Sequence, residues 1–277
     1  MQFIEQSPQS PRRRAAFRPA LLLTSLVAAG VMATGSAHAI RLEVAPDAPI
    51  WQHLGAALLL TLHIGGGVIG LASGVAALTA KKGGTIHRAA GKIFLPAMFI
   101  TYLIGAGVAP FLAEQQRPNF VAGILALYLL ITGWRTAKRT NLSAGTEDIT
   151  GFAIALAIAS TGFIFMQMAS NSPTGTVDGS PPEAFIVFTV AGSFAVLGEL
   201  NFLIRRNLAG AARIARHLWR MCVSMFLASG SLFLGQPQVF PDWFNATPLP
   251  FLFAFVPLLA MLFWLVAVRV PSRRSTG

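Results

Sequence analysis

The chain has 277 residues, of which 54% are hydrophobic and only 11% are charged, and its mean hydropathy is +0.63. Soluble domains carry about a quarter charged residues, so this chain cannot cover a water-facing surface, and its composition predicts a protein of the lipid bilayer. The net charge of +11 does not indicate nucleic-acid binding, because the basic residues fall in short runs between apolar stretches and form no basic domain.

Residues 1–39 have the pattern of a targeting segment. Four arginines precede the apolar stretch 20–33, and Ala37-His38-Ala39 matches an A-x-A cleavage site. We expect a signal peptide cleaved after Ala39, and the alternative is an uncleaved signal anchor that adds one more span. Residues 40–277 are then expected to form a single transmembrane domain with short loops.

Seven apolar runs follow, each long enough to cross a hydrocarbon layer of about 30 Å at about 1.5 Å per residue. They lie at approximately 55–80, 93–112, 120–137, 150–170, 184–204, 217–235 and 250–269. No long stretch alternates with period two, and lipid offers the backbone no hydrogen-bond partners, so the runs should be helices. The predicted fold class is therefore all-α, an integral membrane bundle of seven transmembrane helices.

The basic residues predict how the bundle is oriented. Nineteen of the 21 Lys and Arg fall in the N-terminal region, in alternate turns and in the C-terminal tail, and the exceptions are Arg41 and Arg117. By the positive-inside rule the basic turns and the C-terminus are cytoplasmic, and residues 40–54 lie outside. We expect a multi-pass protein of a bacterial inner membrane, whose partner is the lipid bilayer.

The first run carries a histidine beside a row of glycines. His63 lies inside the run, where an ionisable side chain is costly and usually has a purpose. Gly66, Gly70 and Gly74 follow a small-xxx-small spacing, and His63 falls close to that helical face. Such a row either receives a neighbouring helix or forms a groove for a flat cofactor, and both interpretations remain open here.

The other candidate residues lie toward the basic turns. His87 is in the turn after the first run, and His217 begins the sixth run. Glu199 is the carboxylate inside a run, and an acid at that depth is either protonated or paired with a base. Arg205, Arg220 and His217 are the candidate partners for Glu199.

These motifs resemble those of a large bacterial family of polytopic membrane proteins whose domain has no assigned function. The resemblance covers roughly residues 50–270, and it rests on three motifs: His63-Ile64-Gly65 before the glycine-spaced run, Lys82-Gly83-Gly84 before His87-Arg88 and Gly91, and Arg216-His217-Leu218-Trp219-Arg220. In the family the last motif more often reads His-Arg-x-Trp-Met, so Arg220 stands where methionine is usual. The resemblance implies a multi-span bundle, marks His63, His87, Arg88, His217 and Arg220 as positions of interest, and implies no substrate.

The first functional hypothesis is a redox bundle that binds haem b or a metal ion. Haem requires two axial ligands at one depth on facing helices. His87 and His217 are both at the basic side and could bind one iron, whereas His63 would need a partner such as Met166 or Met168. A metal ion held by His87, His217 and Glu199 is a weaker variant, since no short ligand spacing supports it.

Two further hypotheses use the same residues differently. Glu199 could bind and release a proton in a transporter or sensor, although no internal repeat is evident. Alternatively, the histidines could be structural and pair with backbone carbonyls. A hydrolase is not expected, because the chain has no G-x-S-x-G, H-E-x-x-H or phosphate-binding glycine loop.

Overall fold

A computed structural model describes residues 44–112, 116–139 and 142–268, and within them the chain is helical. The predicted signal segment 1–39 lies outside the described residues. The α-helices are α1 (Ile50–Thr79), α2 (Thr85–Val108), α3 (Arg117–Lys138), α4 (Thr146–Ser170), α5 (Ile186–Arg205), α6 (Gly210–Phe233), the short α7 (Asp242–Asn245) and α8 (Leu249–Ala267). Three 3₁₀ segments accompany them at Ala109–Phe111, Pro182–Phe185 and Pro237–Val239.

Six of the described helical segments are long and apolar enough to cross a membrane. They are Ile50–Thr79, Thr85–Phe111, Arg117–Lys138, Thr146–Ser170, Pro182–Arg205 and Leu249–Ala267. Each coincides with one of the runs predicted from hydropathy, so the all-helical class is confirmed, and the length and composition of these six helices indicate a membrane-embedded protein. The remaining long helix, α6, has 24 residues but carries three arginines and a histidine in its first half, and it is not in this set.

Helices α3 and α6 form the centre of the bundle. Helix α3 packs against α2, α4, α5 and α6, and α6 packs against α1, α3 and α8. Helix α1 packs mainly on α2, whereas α4 packs mainly on α5, so these two pairs flank the centre on different sides. The outward faces are apolar: Leu58, Phe194 and Phe263 are 59–63% exposed, as expected of surfaces that meet lipid.

The loops meet in two groups at opposite ends of the bundle. At one end, strands β1 (Leu142–Ser143) and β2 (Asn207–Leu208) pair in an antiparallel ladder, and the Lys82 ammonium lies 4.4 Å above the ring of Trp264. At the other end, Asp178 Oδ2 accepts hydrogen bonds from the backbone N–H groups of Gln116 and Arg117. The basic turns therefore share one end, which is the alternation that the sequence predicts.

Candidate functional site

Glu199 forms the centre of a buried polar cluster between α3, α5 and α6. Its side chain is 1% exposed. Oε2 accepts a hydrogen bond of 2.6 Å from Arg216, and Oε1 accepts one of 2.8 Å from Arg220 and one of 2.7 Å from the Tyr128 hydroxyl. Both carboxylate oxygens are thus engaged by charged donors, which give stronger hydrogen bonds than neutral ones. This arrangement is a buried ion pair that joins three helices.

Helix α6 positions both arginines because they lie one turn apart on the same helical face. Arg220 Nε donates to Thr132 Oγ1 at 3.0 Å, and Arg216 donates from NH1 to the Gly198 carbonyl at 3.2 Å. The guanidinium of Arg216 also stacks on Phe202, and that of Arg220 on Trp219. Of the three candidate partners predicted from the sequence, Arg205, Arg220 and His217, the structure gives a bond to Glu199 for Arg220. The sequence prediction did not include Arg216 or Tyr128. The four-residue spacing of the two arginines was the available signal.

The cluster holds two arginines for one carboxylate. Arg216 Nε and Arg220 NH1 are buried and have no hydrogen-bond acceptor among the described groups. A cavity of about 10 Å³ adjoins Arg216, and the other residues that line it are Thr132, Arg135, Thr136 and Asp148. This volume is about what one water molecule needs, and the lining is polar enough to bind it. A single buried water is therefore sterically compatible with the Arg216 side of the cluster.

His87 and His217 lie next to each other at the basic end, as the sequence hypothesis required. Their ring centroids are 6.5 Å apart, with the ring planes at 82°. His87 Nδ1 is 3.0 Å from the Ala77 carbonyl, and His217 Nδ1 is 3.0 Å from the Gly133 carbonyl. Because a carbonyl oxygen only accepts, both Nδ1 atoms carry a proton, and in the neutral imidazole Nε2 is then the nitrogen that can bind a metal.

Lys82 stands beside the histidine pair. Its ammonium donates to the carbonyls of Ala77 and Leu78 at 3.1 and 2.6 Å. The Ala77 carbonyl oxygen therefore accepts hydrogen bonds from both Lys82 and His87. Partial burial lowers the pKa of Lys82 from its ordinary value of 10.5, because desolvation disfavours the ammonium. Arg88 lies outside this group, since its exposed side chain donates to the Gly83 carbonyl and closes the loop before α2.

His63 lies apart from the other two histidines, in the half of α1 away from the basic end. Its Nδ1 donates to the Thr101 carbonyl of α2 at 2.9 Å. The methionine partners suggested for it are wrongly placed. Met166 packs in the core formed by α3, α4 and α5, whereas α1 packs mainly on α2. His63 and Met166 are predicted to lie at a similar depth in the membrane, but their helices are on different sides of the bundle.

The glycine row of α1 is a helix-packing surface. A Cβ at Gly66 would lie 2.6 Å from Thr101 Oγ1, and one at Gly70 would meet the Met98 side chain. A Cβ at Gly74 would meet the side chains of Met225 and Phe94. Neighbouring helices therefore fill the space beside the row, and the cofactor-groove interpretation of Gly66, Gly70 and Gly74 is wrong.

The three-residue metal set of His87, His217 and Glu199 is not assembled. Within residues 44–112, 116–139 and 142–268, no group of three or more His, Cys, Asp or Glu could hold a metal ion. Both oxygens of Glu199 are instead bonded to Arg216 and Arg220. What remains of the predicted site is the pair of imidazoles.

Comparison of the chain with protein-family models, with characterised proteins and with solved structures gives no match. The resemblance carried by the histidine and glycine motifs therefore stays a prediction.

Proposed function

We propose that this protein is a multi-pass inner-membrane redox protein in which His87 and His217 are the axial ligands of one haem b. The observation that carries the proposal is the 6.5 Å separation of two imidazoles on different helices, each with its Nδ1 fixed by a backbone carbonyl. Metal-binding histidines characteristically donate their second ring N–H to such an acceptor, which fixes the tautomer and orients the ring.

The separation of the rings fits coordination from opposite sides of one iron. With metal–nitrogen bonds of about 2.0 Å, two such imidazoles have their centroids roughly 6 Å apart. Haem supplies its own four equatorial nitrogens and needs only two side chains. A zinc ion would need further protein ligands, and the described residues offer no third His, Cys, Asp or Glu at this place. The two-histidine site therefore favours haem over a simple metal ion.

The proposal includes the orientation of the bundle. We infer that α6 is a seventh crossing helix and that the basic loops are cytoplasmic, as the positive-inside rule favours. Arg216 and Arg220 are only 7% and 0% exposed, so the charges of α6 face protein and not lipid. Intramembrane charges that face the bundle interior and are paired are compatible with a membrane span.

Proton-coupled transport or sensing through Glu199 is the alternative function. The contacts of Glu199 support it less, because protonation would remove the charge from two hydrogen bonds to arginines. A carboxylate held in this way fits an ion pair that fixes the positions of α5 and α6.

Absorption spectroscopy of the detergent-purified protein tests the proposal. We expect a Soret band that shifts on reduction with dithionite and that is lost in His87→Ala and in His217→Ala. The asparagine of His217→Asn can still donate a hydrogen bond to the Gly133 carbonyl, but it removes the imidazole ligand. Loss of the band in this variant therefore indicates loss of the ligand and not loss of the fold. His63→Ala is the matched control and should keep the band. A colourless wild-type protein, or a band that survives both His87 and His217 replacement, would overturn the proposal.

A further inference from the structure

A groove opens on the side of the bundle between α3 and α4, away from the histidine pair. Its volume is about 510 Å³, within the range of small-molecule sites. Apolar side chains make most of its lining, with polar residues near its basic end: Ile124, Leu127, Tyr128, Ile131, Thr132, Arg135, Glu147, Thr150, Gly151 and Ile154. Ile131 and Ile154 are 39% and 41% exposed, so the groove is accessible from the surface that meets lipid.

The length of the groove matches one leaflet of a bilayer. From Ile124 to Arg135 it spans eleven residues of α3, or about 16 Å at 1.5 Å per residue. This is half of a hydrocarbon layer of about 30 Å, so an acyl chain anchored at Arg135 would end near the membrane centre.

The polar groups inside the groove are already hydrogen-bonded within the protein. The Tyr128 hydroxyl donates to Glu199, and Thr132 Oγ1 donates to the Tyr128 carbonyl while it accepts from Arg220. Thr150 Oγ1 donates to the Thr146 carbonyl. Each of these hydroxyls has already donated its proton within the protein. The groove therefore offers no free side-chain hydroxyl donor beside its apolar lining, which suits a hydrocarbon chain, and we place polar recognition at its mouth.

Two arginines and two acids lie at the mouth. Arg135 pairs with Glu147 and lies 3.6 Å from Asp148, and Arg139 lies 4.0 Å from Glu147. Asp148 also accepts from the backbone N–H of Gly145, which fixes it at the start of α4. Glu147 and Arg139 are 59% and 48% exposed, so both can receive a further charged group.

We propose that this groove binds one phospholipid whose head group carries a phosphate and a primary amine. The acyl chain lies along Ile131 and Ile154, the phosphate contacts Arg135 and Arg139, and the ammonium contacts Glu147. A zwitterionic head group complements two arginines and two acids, whereas a purely anionic head group would bring a second negative charge to the exposed carboxylate of Glu147 and offer it no ammonium. This site is independent of the haem proposal and shares no residue with the histidine pair.

Native mass spectrometry of the delipidated protein after addition of phosphatidylethanolamine, phosphatidylglycerol or a free fatty acid tests the proposal. We expect one retained phosphatidylethanolamine per chain and weaker retention of the other two. Ile154→Trp fills the groove and should reduce retention at least about tenfold, which corresponds to about 1.4 kcal/mol. Leu156→Trp places the same bulk on a lipid-facing position of α4 outside the groove and should change nothing.

Glu147→Gln tests the head-group assignment. It should abolish the preference for phosphatidylethanolamine over phosphatidylglycerol and leave acyl-chain binding in place, while Glu183→Gln at the other end of the bundle should keep the preference. The proposal is overturned if Ile154→Trp and Leu156→Trp retain lipid equally, or if the wild type prefers phosphatidylglycerol or the fatty acid.

Discussion

At the scale of single residues, the most consequential feature is a carboxylate that holds two buried arginines. Glu199, Arg216 and Arg220 are each at most 7% exposed, so the single carboxylate serves as counter-charge for both arginines, and Tyr128 adds a hydrogen bond to it. Desolvation of such charges is costly, and removal of one partner is far more damaging than replacement of the whole group by apolar residues. The ion pair therefore specifies how α5 and α6 meet, whatever it contributes to net stability.

Glu199→Gln should lower the free energy of unfolding by about 3–5 kcal/mol, because it leaves two buried arginines without a counter-charge. Unfolding in detergent, followed by circular dichroism, measures the effect. Combining Glu199→Leu with Arg216→Met and Arg220→Leu should recover most of the loss. Glu183→Gln, at a more accessible acid, is the control and should stay within about 0.5 kcal/mol of wild type. Equal stability of the Glu199→Gln and Glu183→Gln proteins would contradict the ion-pair assignment.

Lys82 should make stability depend on pH in the alkaline range. Burial lowers its pKa in the folded protein below the ordinary 10.5, so the unfolded chain binds more protons between the two values. The free energy of unfolding should therefore rise as the pH approaches 10.5 from below. Lys82→Met should show a flatter pH profile. Lys81→Met, which removes an exposed positive charge from the same loop, is the control, and identical profiles for wild type and Lys82→Met would refute the prediction.

At the scale of elements, close backbone approach explains how α1 and α2 pack. The glycine row of α1 lets α2 come near enough for Thr101 Oγ1 to approach the His63 carbonyl at 3.3 Å, while His63 donates to the Thr101 carbonyl. Small residues at such positions are a common means of helix association in lipid, where burial of apolar surface gives little driving force.

Gly66→Ala should destabilise the protein by about 1–3 kcal/mol, since its Cβ would lie 2.6 Å from Thr101 Oγ1 and 2.9 Å from the Ala97 carbonyl oxygen. Its neighbour provides a matched control, because a Cβ at Gly65 would meet nothing within 4 Å. Gly65→Ala should be neutral or stabilising by up to about 1 kcal/mol, as expected for alanine in a helix. Thermal unfolding of the two variants side by side decides the matter, and a Gly66→Ala protein as stable as the Gly65→Ala protein would disprove the close packing.

Hydropathy located the helices, but it could not determine their rotation or their neighbours. The seven predicted runs all correspond to helices because apolar length is a property of each segment alone. Their common end of the bundle allowed His87 and His217 to meet, but the contact itself depends on which helices adjoin. The choice of Arg216 over Arg205 as a partner of Glu199 depends on which face of α6 turns inward. Met166 is not a partner of His63 because their helices are not neighbours. The depth of a residue in the membrane predicts neither the rotation of its helix nor the helices beside it.

At the scale of the whole molecule, the account depends on α6. This helix supplies Arg216, Arg220 and His217, yet the charges in its first half leave it outside the six described helices that are long and apolar enough to cross a membrane. The bundle resolves that conflict by enclosing the charged face against α3 and α5, with the arginines paired to Glu199. A crossing α6 places the histidine pair and the basic loops at one membrane face, and the loop 234–241 at the other.

Cysteine accessibility at the two ends of α6 tests this arrangement most directly. In a Cys222→Ser background, which lacks the single buried native thiol, single cysteines replace exposed Asn207 or Gln238. Spheroplasts are then treated with a membrane-impermeant maleimide before and after lysis. The account predicts labelling of the Gln238→Cys protein in intact spheroplasts, and of the Asn207→Cys protein only after lysis. Labelling of both from the same side, or the reverse pattern, would contradict it.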